Sequence, residues 1–429
     1  GSAGDDTIYA TFDADTVSGQ AGNDTLYGGA GNDTLAGGDG NDLYVLNVPT
    51  DVVNETAPGS AGVDTVRLDF AAVAPYTLGS GVENARVNSA LAINVTGNAL
   101  DNLLLGGNGA NSLVGLGGAD TLRGGEGADT IDGGEGDDLV EGGLGNDSLL
   151  GGLGIDVVDY SSAVGAVAVS LPASTASGAD GSDTLSGFEG IQGGAGNDTL
   201  VGDDNDNQID GGNGDNSLVG GGGSDGLSVG TGQHTLQGGA GNDFLFTGPG
   251  GNDIVDGGDD FDQAYWDQAP GPVHINLVTG RTTGAAGTDT LIGIEGGRGS
   301  PFNDTLTGND ANNEWQGGQG ADLIIGGGGI DLVRFTIEPA GVNVTLLTTP
   351  RAITSTGTDT LDGIENLRGS SFADTLVGDD NANWLRGGPA GNAVDGADSL
   401  VGNGGNDTLA GEGWADTLVG GNGNDRYEV

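Results

Sequence analysis

The chain has 429 residues, and 63 acidic side chains against 10 basic ones give it a formal net charge of −53. All ten basic residues are arginine, cysteine is absent, and 93 residues are glycine. This composition excludes attraction to nucleic acid or to an anionic membrane, and it excludes disulfide bonds and thiolate zinc sites. Apolar stretches are short and interrupted by glycine, so the sequence predicts no membrane-spanning helix.

A nine-residue repeat begins at the first residue. Three successive units read GQAGNDTLY at 19–27, GGAGNDTLA at 28–36 and GGDGNDLYV at 37–45. The shared pattern is Gly-Gly-X-Gly-X-Asp-X-aliphatic-X, and we number its positions one to nine. Glycine at positions one, two and four predicts a turn over the first six residues. The last three residues predict a short strand with position eight facing inward.

Two units make a coil of 18 residues, and stacked coils predict two facing parallel sheets with turns along both edges. Position eight supplies the inward side chains, such as Leu26, Leu35, Leu122 and Ile131. Two aliphatic side chains per coil cannot offset the conformational entropy of ordering it, and stacked aspartates repel one another. A cation must therefore lie between turns, and Ca²⁺ fits because it accepts six to eight oxygen ligands in adaptable geometry.

Four interruptions divide the chain into repeat runs and spacers. We predict runs at 1–45, 97–159, 193–265, 299–334 and 369–429, the last one truncated at its end, and spacers at 46–96, 160–192, 266–298 and 335–368. The three later spacers carry alternating apolar residues, such as Val167 and Val169, which predict a half-buried strand. Each spacer also carries a glutamate after glycine and an apolar residue: Glu83, Glu189, Glu295 and Glu365. Because they recur in every spacer, we interpret these glutamates as structural residues or metal ligands and not as catalytic groups.

Some units depart from the pattern at position six. The exceptions are Asn102, Asn111, Asn207, Asn216, Asn313, Asn383 and His234. An amide offers a carbonyl oxygen without charge, so a gap between two such residues, for example Asn216 and His234, is predicted to hold no ion. His234 itself is predicted to be structural, because imidazole is a poor calcium ligand.

The units GGAGNDTLA, GGEGADTID and GGLGNDSLL resemble the nonapeptide repeats of the RTX (repeats-in-toxin) family, also called haemolysin-type calcium-binding repeats. The resemblance implies an all-β fold, a parallel β-roll, with Ca²⁺ bound between turns 18 residues apart. It implies that each ion takes the position-six aspartates of both turns, the carbonyls of positions two and four of the earlier turn, and those of positions one and three of the later turn.

Carried over residue by residue, the resemblance implies these aspartate ligands: Asp6, Asp15, Asp24, Asp33, Asp42, Asp120, Asp129, Asp138, Asp147, Asp156, Asp198, Asp225, Asp243, Asp304, Asp322, Asp331, Asp398, Asp407, Asp416 and Asp425. The implied carbonyl ligands belong to Gln20, Gly22, Gly28, Ala30, Gly37, Asp39, Gly125, Gly127, Gly133, Gly134, Glu135, Gly136, Gly142, Leu144, Gly151, Leu153, Gly221, Gly223, Gly238, Ala240, Gly405, Gly420 and Asn422.

Two histidines, no cysteine and no lysine leave few acid–base groups, and the sequence contains no zinc-binding His-Glu-X-X-His or phosphate loop, so we predict that the chain is not an enzyme. The RTX resemblance implies type I secretion and an extracellular or cell-surface location. The first hypothesis is a calcium-folded structural segment of an adhesin, surface-layer or matrix protein. The alternative is the calcium-binding region of a secreted lipase, metalloprotease or alginate epimerase whose catalytic domain lies outside this chain. Predicted partners are calcium ions, with surface or matrix polysaccharide or self-assembly as options, and neither nucleic acid nor membrane insertion.

Overall fold

The structure, a computed structural model, describes residues 1–55, 61–347, 349–389 and 396–428. These residues form strands and turns without an α-helix, so none of them belongs to a helix that could cross a membrane. The chain divides into two compact units. Unit 1 comprises Gly1–Asp203 with Asn207–Gly212, and unit 2 comprises Asp204–Asp206 with Asn213–Val429.

The strands of unit 1 are β1 (Thr7–Tyr9), β2 (Thr16–Ala21), β3 (Thr25–Tyr27), β4 (Thr34–Asp39), β5 (Leu43–Leu46), β6 (Val52–Val53), β7 (Thr65–Leu68), β8 (Tyr76–Thr77), β9 (Asn84–Val87), β10 (Val95–Thr96), β11 (Leu103–Gly107), β12 (Ser112–Gly117), β13 (Thr121–Glu126), β14 (Thr130–Glu135), β15 (Leu139–Leu144), β16 (Ser148–Leu153), β17 (Val157–Asp159), β18 (Val167–Ser170), β19 (Thr175–Gly178), β20 (Ser182–Ser186), β21 (Gly190–Gln192), β22 (Thr199–Val201) and β23 (Gln208–Asp210).

The strands of unit 2 are β24 (Ser217–Gly222), β25 (Gly226–Ser228), β26 (Thr235–Ala240), β27 (Phe244–Phe246), β28 (Ile254–Asp259), β29 (Gln263–Tyr265), β30 (Val273–Asn276), β31 (Arg281–Gly284), β32 (Thr290–Ile292), β33 (Gly296–Arg298), β34 (Thr305–Thr307), β35 (Glu314–Gln316), β36 (Leu323–Ile325), β37 (Leu332–Arg334), β38 (Asn343–Thr345), β39 (Arg351–Ile353), β40 (Thr358–Asp362), β41 (Asn366–Arg368), β42 (Thr375–Val377), β43 (Trp384–Arg386), β44 (Ser399–Gly404), β45 (Thr408–Ala410), β46 (Thr417–Asn422) and β47 (Arg426–Glu428).

Each unit is a parallel β-solenoid, which confirms the predicted all-β β-roll. Within a run, successive strands alternate between two sheets, so that β13 pairs with β15 and β14 with β16. The register is fixed by the repeat: Leu122 lies opposite Val140, and Ile131 opposite Leu149, each pair 18 residues apart. Position eight faces inward as predicted, because Leu122 and Val140 are fully buried and Ile131 and Leu149 nearly so. The core is therefore a double row of aliphatic side chains between the sheets.

Several strands are longer than the sequence indicated. The first six residues of a unit were expected to form a turn, but β13 to β16 continue through positions one to three of the next unit. Gly125, for example, stays paired with Gly143 in the parallel ladder. Glycine has no side chain to disturb the ladder there, so pairing extends and the true turn shrinks to positions four to six.

The three later spacers insert antiparallel hairpins into one of the two sheets. In the spacer at 160–192, β18 pairs antiparallel with β19, and β19 with β20. The hairpin then rejoins the parallel stack, because β20 pairs with β16 and β18 with β22. Strands β30 to β32 and β38 to β40 repeat this arrangement. In the other sheet one strand, β21, continues the stack beside β17.

Turns stack so closely that position four at Gly136 has no room for a side chain and requires glycine. Gly136 has a φ of +127°, and a Cβ there would collide with the carbonyl oxygen of Gly118 in the preceding turn. We expect Gly136→Ala to lower the free energy of unfolding by about 2 to 4 kcal/mol, measured by denaturant titration in calcium. Gly4→Ala is the matched control, because a Cβ at Gly4 meets no atom within 4 Å. Equal stability of the two variants would contradict the turn packing described here.

Candidate metal centres

The gap between the turns 124–129 and 142–147 shows how position six is arranged inside a run. The Asp129 side chain is buried beside Gly124 of its own turn. The main-chain N–H of Asp129 donates to Asp147 Oδ1 at 2.7 Å. Asp129 Oδ1 in turn accepts the N–H of Asn111 at 2.6 Å. One oxygen of each carboxylate is thus used to hold the adjacent turn. The other oxygen, Oδ2, is left over for a different partner.

Main-chain carbonyl groups converge on the same gap. Carbonyl oxygens of Gly125 and Gly127 face the glycines of the following turn, and that of Gly142 faces back towards Gly124. The carbonyl oxygen of Leu144 also faces the earlier turn, because it accepts the N–H of Gly127 at 2.8 Å. These are the four carbonyl groups that the family pattern assigns to an ion shared by Asp129 and Asp147. The structure therefore brings carboxylate and carbonyl oxygens together in one gap.

Buried carboxylate oxygens without a hydrogen bond recur along the columns of turns. In the part of the chain that the structure describes, Oδ2 is buried and has no hydrogen-bond partner in Asp24, Asp33, Asp42, Asp51, Asp120, Asp129, Asp138, Asp147, Asp156, Asp243, Asp262, Asp322, Asp331 and Asp407. An unsatisfied buried charge is too costly to recur at this frequency unless a cation compensates it. A cation that prefers oxygen ligands fits these positions.

Burial disfavours ionisation of several of these carboxylates. It raises the pKa of Asp120, Asp129, Asp147 and Asp156 to about 6 in each case, and for Asp147 the charge of Asp183 adds to the effect. Burial raises the pKa of Asp322 to about 7, with further contributions from Asp359 and Asp304. A divalent ion would remove this penalty, because it favours the charged form of every carboxylate around it.

The donor set is typical of calcium. Across the described residues, no group of three or more His, Cys, Asp or Glu side chains could form a metal site from side chains alone. The gaps instead combine two carboxylates with main-chain carbonyl groups, all of which are hard oxygen donors. Ca²⁺ is the common protein metal that suits such a set, because it tolerates many oxygen ligands and irregular geometry.

The first turn of each column in a run differs from the turns that follow it. There, an oxygen of the position-six side chain accepts the N–H of position two of its own turn. This bond links Thr11 to Asp15, Gly194 to Asp198, Ser300 to Asp304, Asn98 to Asn102 and Asn309 to Asn313, at 2.6–2.9 Å. The N–H of Thr11 is the main reason that the pKa of Asp15 lies below its usual value. Protein donors thus occupy a position that is left to other partners deeper in the run.

Asparagine at the start of a run has a specific partner. In four asparagines near the start of a run, Nδ2 donates to the carbonyl oxygen of the spacer glutamate before it, at 2.8–3.2 Å, in the pairs Asn102 with Glu83, Asn207 with Glu189, Asn313 with Glu295 and Asn383 with Glu365. An aspartate could not donate this bond. The amides therefore link a run to the spacer before it, and charge is not needed at that point.

The spacer carboxylates continue the columns. Glu189 Oε2 accepts the N–H of Asp156 at 2.9 Å, and Asp183 Oδ1 accepts that of Asp147 at 2.9 Å. Asp183 is satisfied on its other oxygen as well, because Tyr160 donates its hydroxyl proton to Oδ2 at 2.8 Å. In the next spacer, Trp266 Nε1 donates to Asp289 Oδ2 at 2.9 Å. Aromatic donors thus satisfy the spacer aspartate in both places.

Removing one of these donors tests whether they stabilise the spacers. We expect Tyr160→Phe to lower the free energy of unfolding by about 1 to 3 kcal/mol, because Asp183 Oδ2 would be left buried without its donor. The effect should be the same at every saturating calcium concentration, since no ion is lost. Urea titration of the variant and the parent measures it. An unchanged midpoint would show that the hydroxyl contributes nothing.

Sequence reasoning missed several carboxylates of these columns. Asp51 accepts the N–H of Asp33, and Asp262 that of Asp243, so both continue columns from the runs before them. Asp253 follows Asp243 by ten residues and not nine, so the periodic pattern no longer predicted Asp262. Asp64 lies in GSAGVDTVR at 59–67, whose match to the unit could have revealed it. Asp51 follows no glycine turn and gave no signal.

The other aspartates named from the sequence occupy equivalent places in the stack. Asp6 and Asp24, Asp225 and Asp243, Asp304 and Asp322, Asp398 and Asp416, and Asp407 and Asp425 are each linked by an N–H to Oδ1 bond of 2.7–3.1 Å. His234 takes the same place between Asn216 and Asp253. Its Nδ1 lies 3.3 Å from the N–H of Asn216, and Nε2 lies 3.3 Å from the carbonyl oxygen of Gly230. Protonation on Nε2 alone satisfies both contacts.

Comparison with known protein families agrees with this geometry. The model of the RTX calcium-binding nonapeptide repeat (4 copies) matches residues 1–26, 10–44, 96–131, 123–158, 192–227, 229–264, 298–333, 359–390 and 392–427. The matches together cover more than half of the chain. No curated protein matches it in sequence. The stacked glycine turns, the buried aspartate columns and the family match lead to one conclusion: the chain belongs to the family of RTX calcium-binding nonapeptide repeats.

Proposed function

We propose that the chain is a non-catalytic, calcium-folded structural segment of a type I-secreted bacterial protein that works outside the cell or at its surface, as an adhesin, surface-layer or matrix protein. The observation that carries the proposal is the set of buried aspartate oxygens without a hydrogen bond, which recurs in both units. Such oxygens destabilise the stack without a cation and hold it together with one. The acidic columns thereby serve assembly of the fold and not chemistry on a substrate.

Calcium supply links this architecture to secretion. With little free calcium, charge repulsion within a chain of net charge −53 favours an extended state, which suits export. Extracellular calcium modules bind with dissociation constants of about 0.1 to 1 mM, so the chain would fold after export. RTX repeats are typical of secreted bacterial proteins, and this supports the proposed location. At the surface, the segment would meet polysaccharide or further copies of itself.

A calcium titration followed by far-ultraviolet circular dichroism tests the proposal. We expect an unfolded spectrum in chelator and a cooperative gain of strand signal as calcium rises towards the millimolar range. Magnesium at the same concentration is the control and should be less effective, because it demands octahedral geometry and keeps its water. Equal strand content with and without chelator would refute calcium-driven folding. A catalytic domain encoded next to the repeats in the parent gene would favour the enzyme alternative.

A further inference from the structure

One row of side chains, running along one sheet in each unit, contains most of the positive charge of the chain. The row is formed by the third residue of successive strands in one sheet. In unit 1 the row begins with Tyr9, Tyr27, Val45, Arg67, Arg86, Leu105 and Arg123 and then continues into the acidic Glu141. In unit 2 the corresponding part of the row is Phe246, Tyr265, Arg298, Gln316, Arg334, Arg368 and Arg386, and the row ends at Glu428. Seven of the ten arginines therefore lie in this row, and in each unit two aromatic residues precede them.

The arginines lie close enough to repel one another. Arg67 pairs with Arg86 across adjacent strands, and Arg368 lies between Arg334 and Arg386. Like charges directly opposite in a sheet are destabilising. Five arginines are compensated by a carboxylate, in the pairs Arg67 with Asp69, Arg123 with Glu141, Arg298 with Asp267, Arg334 with Glu314 and Arg386 with Glu412. Within the described residues, Arg86 and Arg368 make no ion pair.

The unpaired arginine of unit 1 faces an open cleft of about 610 Å³. The cleft is lined by Arg86, Arg123, Asn88, Ser89 and Asn108, so that two guanidinium groups and several hydrogen-bonding side chains share one cavity. Arg86 is exposed to solvent there. A guanidinium group offers a planar fork of donors that matches a carboxylate or sulfate group. The cleft is therefore built for an anionic group flanked by hydroxyl groups.

Among its described residues, unit 2 carries an arginine without an ion pair, Arg368, in its own row. The Nε of Arg368 donates to the carbonyl oxygen of Gly388 at 3.3 Å, and no carboxylate pairs with its guanidinium group in the described residues. Burial lowers the pKa of Arg368, and the charges of Arg386 and Arg334 lower it further. A bound anion would offset the repulsion between Arg368 and these neighbouring arginines. Nearby, Arg298 lies over the ring of Tyr265, which stacks on Phe246 with ring centroids 4.9 Å apart.

We propose that each row binds a linear acidic polysaccharide, with carboxylate or sulfate groups on the arginines and sugar rings against the aromatic side chains. The proposal rests on the extracellular role argued above, because that role brings the segment into contact with such polymers. Arginines repeated along the stack suit a ligand whose charges repeat, and Leu105 and Gln316 leave neutral positions between them. Tyr9, which is 68% exposed, and the half-buried Phe246 offer flat apolar faces to the C–H-bearing side of a sugar ring, whereas Tyr265 is buried.

Charge density favours a polysaccharide over nucleic acid. Duplex DNA carries one charge for about every 1.7 Å of its axis. A chain of net charge −53 would repel such a polymer strongly, whereas an acidic polysaccharide with one charge per sugar is repelled less. The carboxylates next to the arginines, such as Glu141 and Glu314, can accept hydrogen bonds from sugar hydroxyl groups. The row therefore matches a ligand of moderate charge and many hydroxyl groups.

Binding of a fluorescent galacturonic acid hexamer to the full calcium-loaded chain tests the proposal. Fluorescence anisotropy should show binding that weakens with added salt, and a sulfated hexamer tests whether sulfate replaces carboxylate. A neutral glucose hexamer should not bind. Arg86→Ala combined with Arg368→Ala should weaken binding about tenfold or more. Arg86→Lys keeps the charge but not the fork, so it should fall between the parent and Arg86→Ala.

The matched control is Arg281→Ala, which removes the same charge from the hairpin strand β31, outside the row. It should bind like the parent chain. Circular dichroism of every sample confirms calcium-induced folding, so that a failure of the proposed function is seen separately. A folded chain that ignores the acidic hexamers would overturn the inference, as would unchanged affinity in the double variant. Equal binding of a DNA oligonucleotide with the same sensitivity to the variants would overturn it in favour of a general polyanion site.

Discussion

Replacing Asp138 by asparagine is expected to remove calcium from two gaps at once. Asp138 lies between Asp120 and Asp156 in one column, and hydrogen bonds of 2.8 Å link it to both. Asparagine keeps the acceptor for the N–H of Asp120 but loses the charge that an ion in either gap would contact. At about 1 to 3 kcal/mol per site, the calcium-loaded chain should lose about 2 to 6 kcal/mol of unfolding free energy. Urea titration and calcium counting by equilibrium dialysis measure both effects.

The effect of Asp138→Asn on folding should no longer be unfavourable when calcium is removed. Burial raises the pKa of Asp138, so the carboxylate opposes folding when no ion is present. Asparagine removes this cost, so in chelator at neutral pH, where the parent chain is expected to be unfolded, Asp138→Asn should not lower the residual strand signal. Asp132→Asn, on the outward face of β14 in the same run, is the matched control and should leave bound calcium unchanged. The same loss of stability with no loss of bound calcium would instead indicate a purely structural role for Asp138.

Acidification is expected to raise the calcium concentration needed for folding. Asp120, Asp129, Asp147 and Asp156 have pKa values of about 6, chiefly because they are buried. Calcium requires the ionised forms, so protons compete with it below about pH 6. At about pH 5, each such carboxylate costs roughly a tenfold loss of affinity, and two share each ion. The calcium midpoint near pH 5 should therefore lie far above the midpoint near pH 7.5.

Without calcium, the pH dependence should have the opposite sign. A folded-state pKa of about 6 lies above the unfolded value of about 3.8, so the metal-free fold binds more protons than the unfolded chain. This contribution to stability is complete below about pH 3.8 and is lost as the pH rises through about 6. Circular dichroism in chelator across this range measures it. A calcium midpoint that does not change with pH would show that these carboxylates do not bind the ion.

The periodic part of the fold could be predicted from the sequence. Leu122 and Val140 are buried and in register because position eight recurs every nine residues. The pairing of Asp129 with Asp147 follows from the same period. The order of strands in the spacers could not be predicted. Val167 and Val169 mark a strand, but nothing in the sequence shows that β18 pairs with both β19 and β22.

Hydrogen bonds between distant segments could not be predicted from the sequence either. The bond from Tyr160 to Asp183 spans 23 residues, and the one from Asp147 to Asp183 spans 36. A nine-residue period cannot indicate such contacts, because they depend on how the hairpin rejoins the stack. The asparagines near the start of a run are a second example. The sequence indicated only that their amide oxygens bring no charge to a metal ion, whereas the structure shows that Asn313 donates to the carbonyl oxygen of Glu295.

A crystal structure grown in calcium, with the anomalous signal of the ion recorded, tests the central claim most directly. Calcium held between stacked turns predicts a peak in the gap between Asp129 and Asp147, with ligand oxygens from Gly125 and Gly127 at about 2.3 to 2.6 Å. The same peak should recur between Asp120 and Asp138 and between Asp138 and Asp156. Folded turns with water alone in these gaps, at saturating calcium, would contradict it.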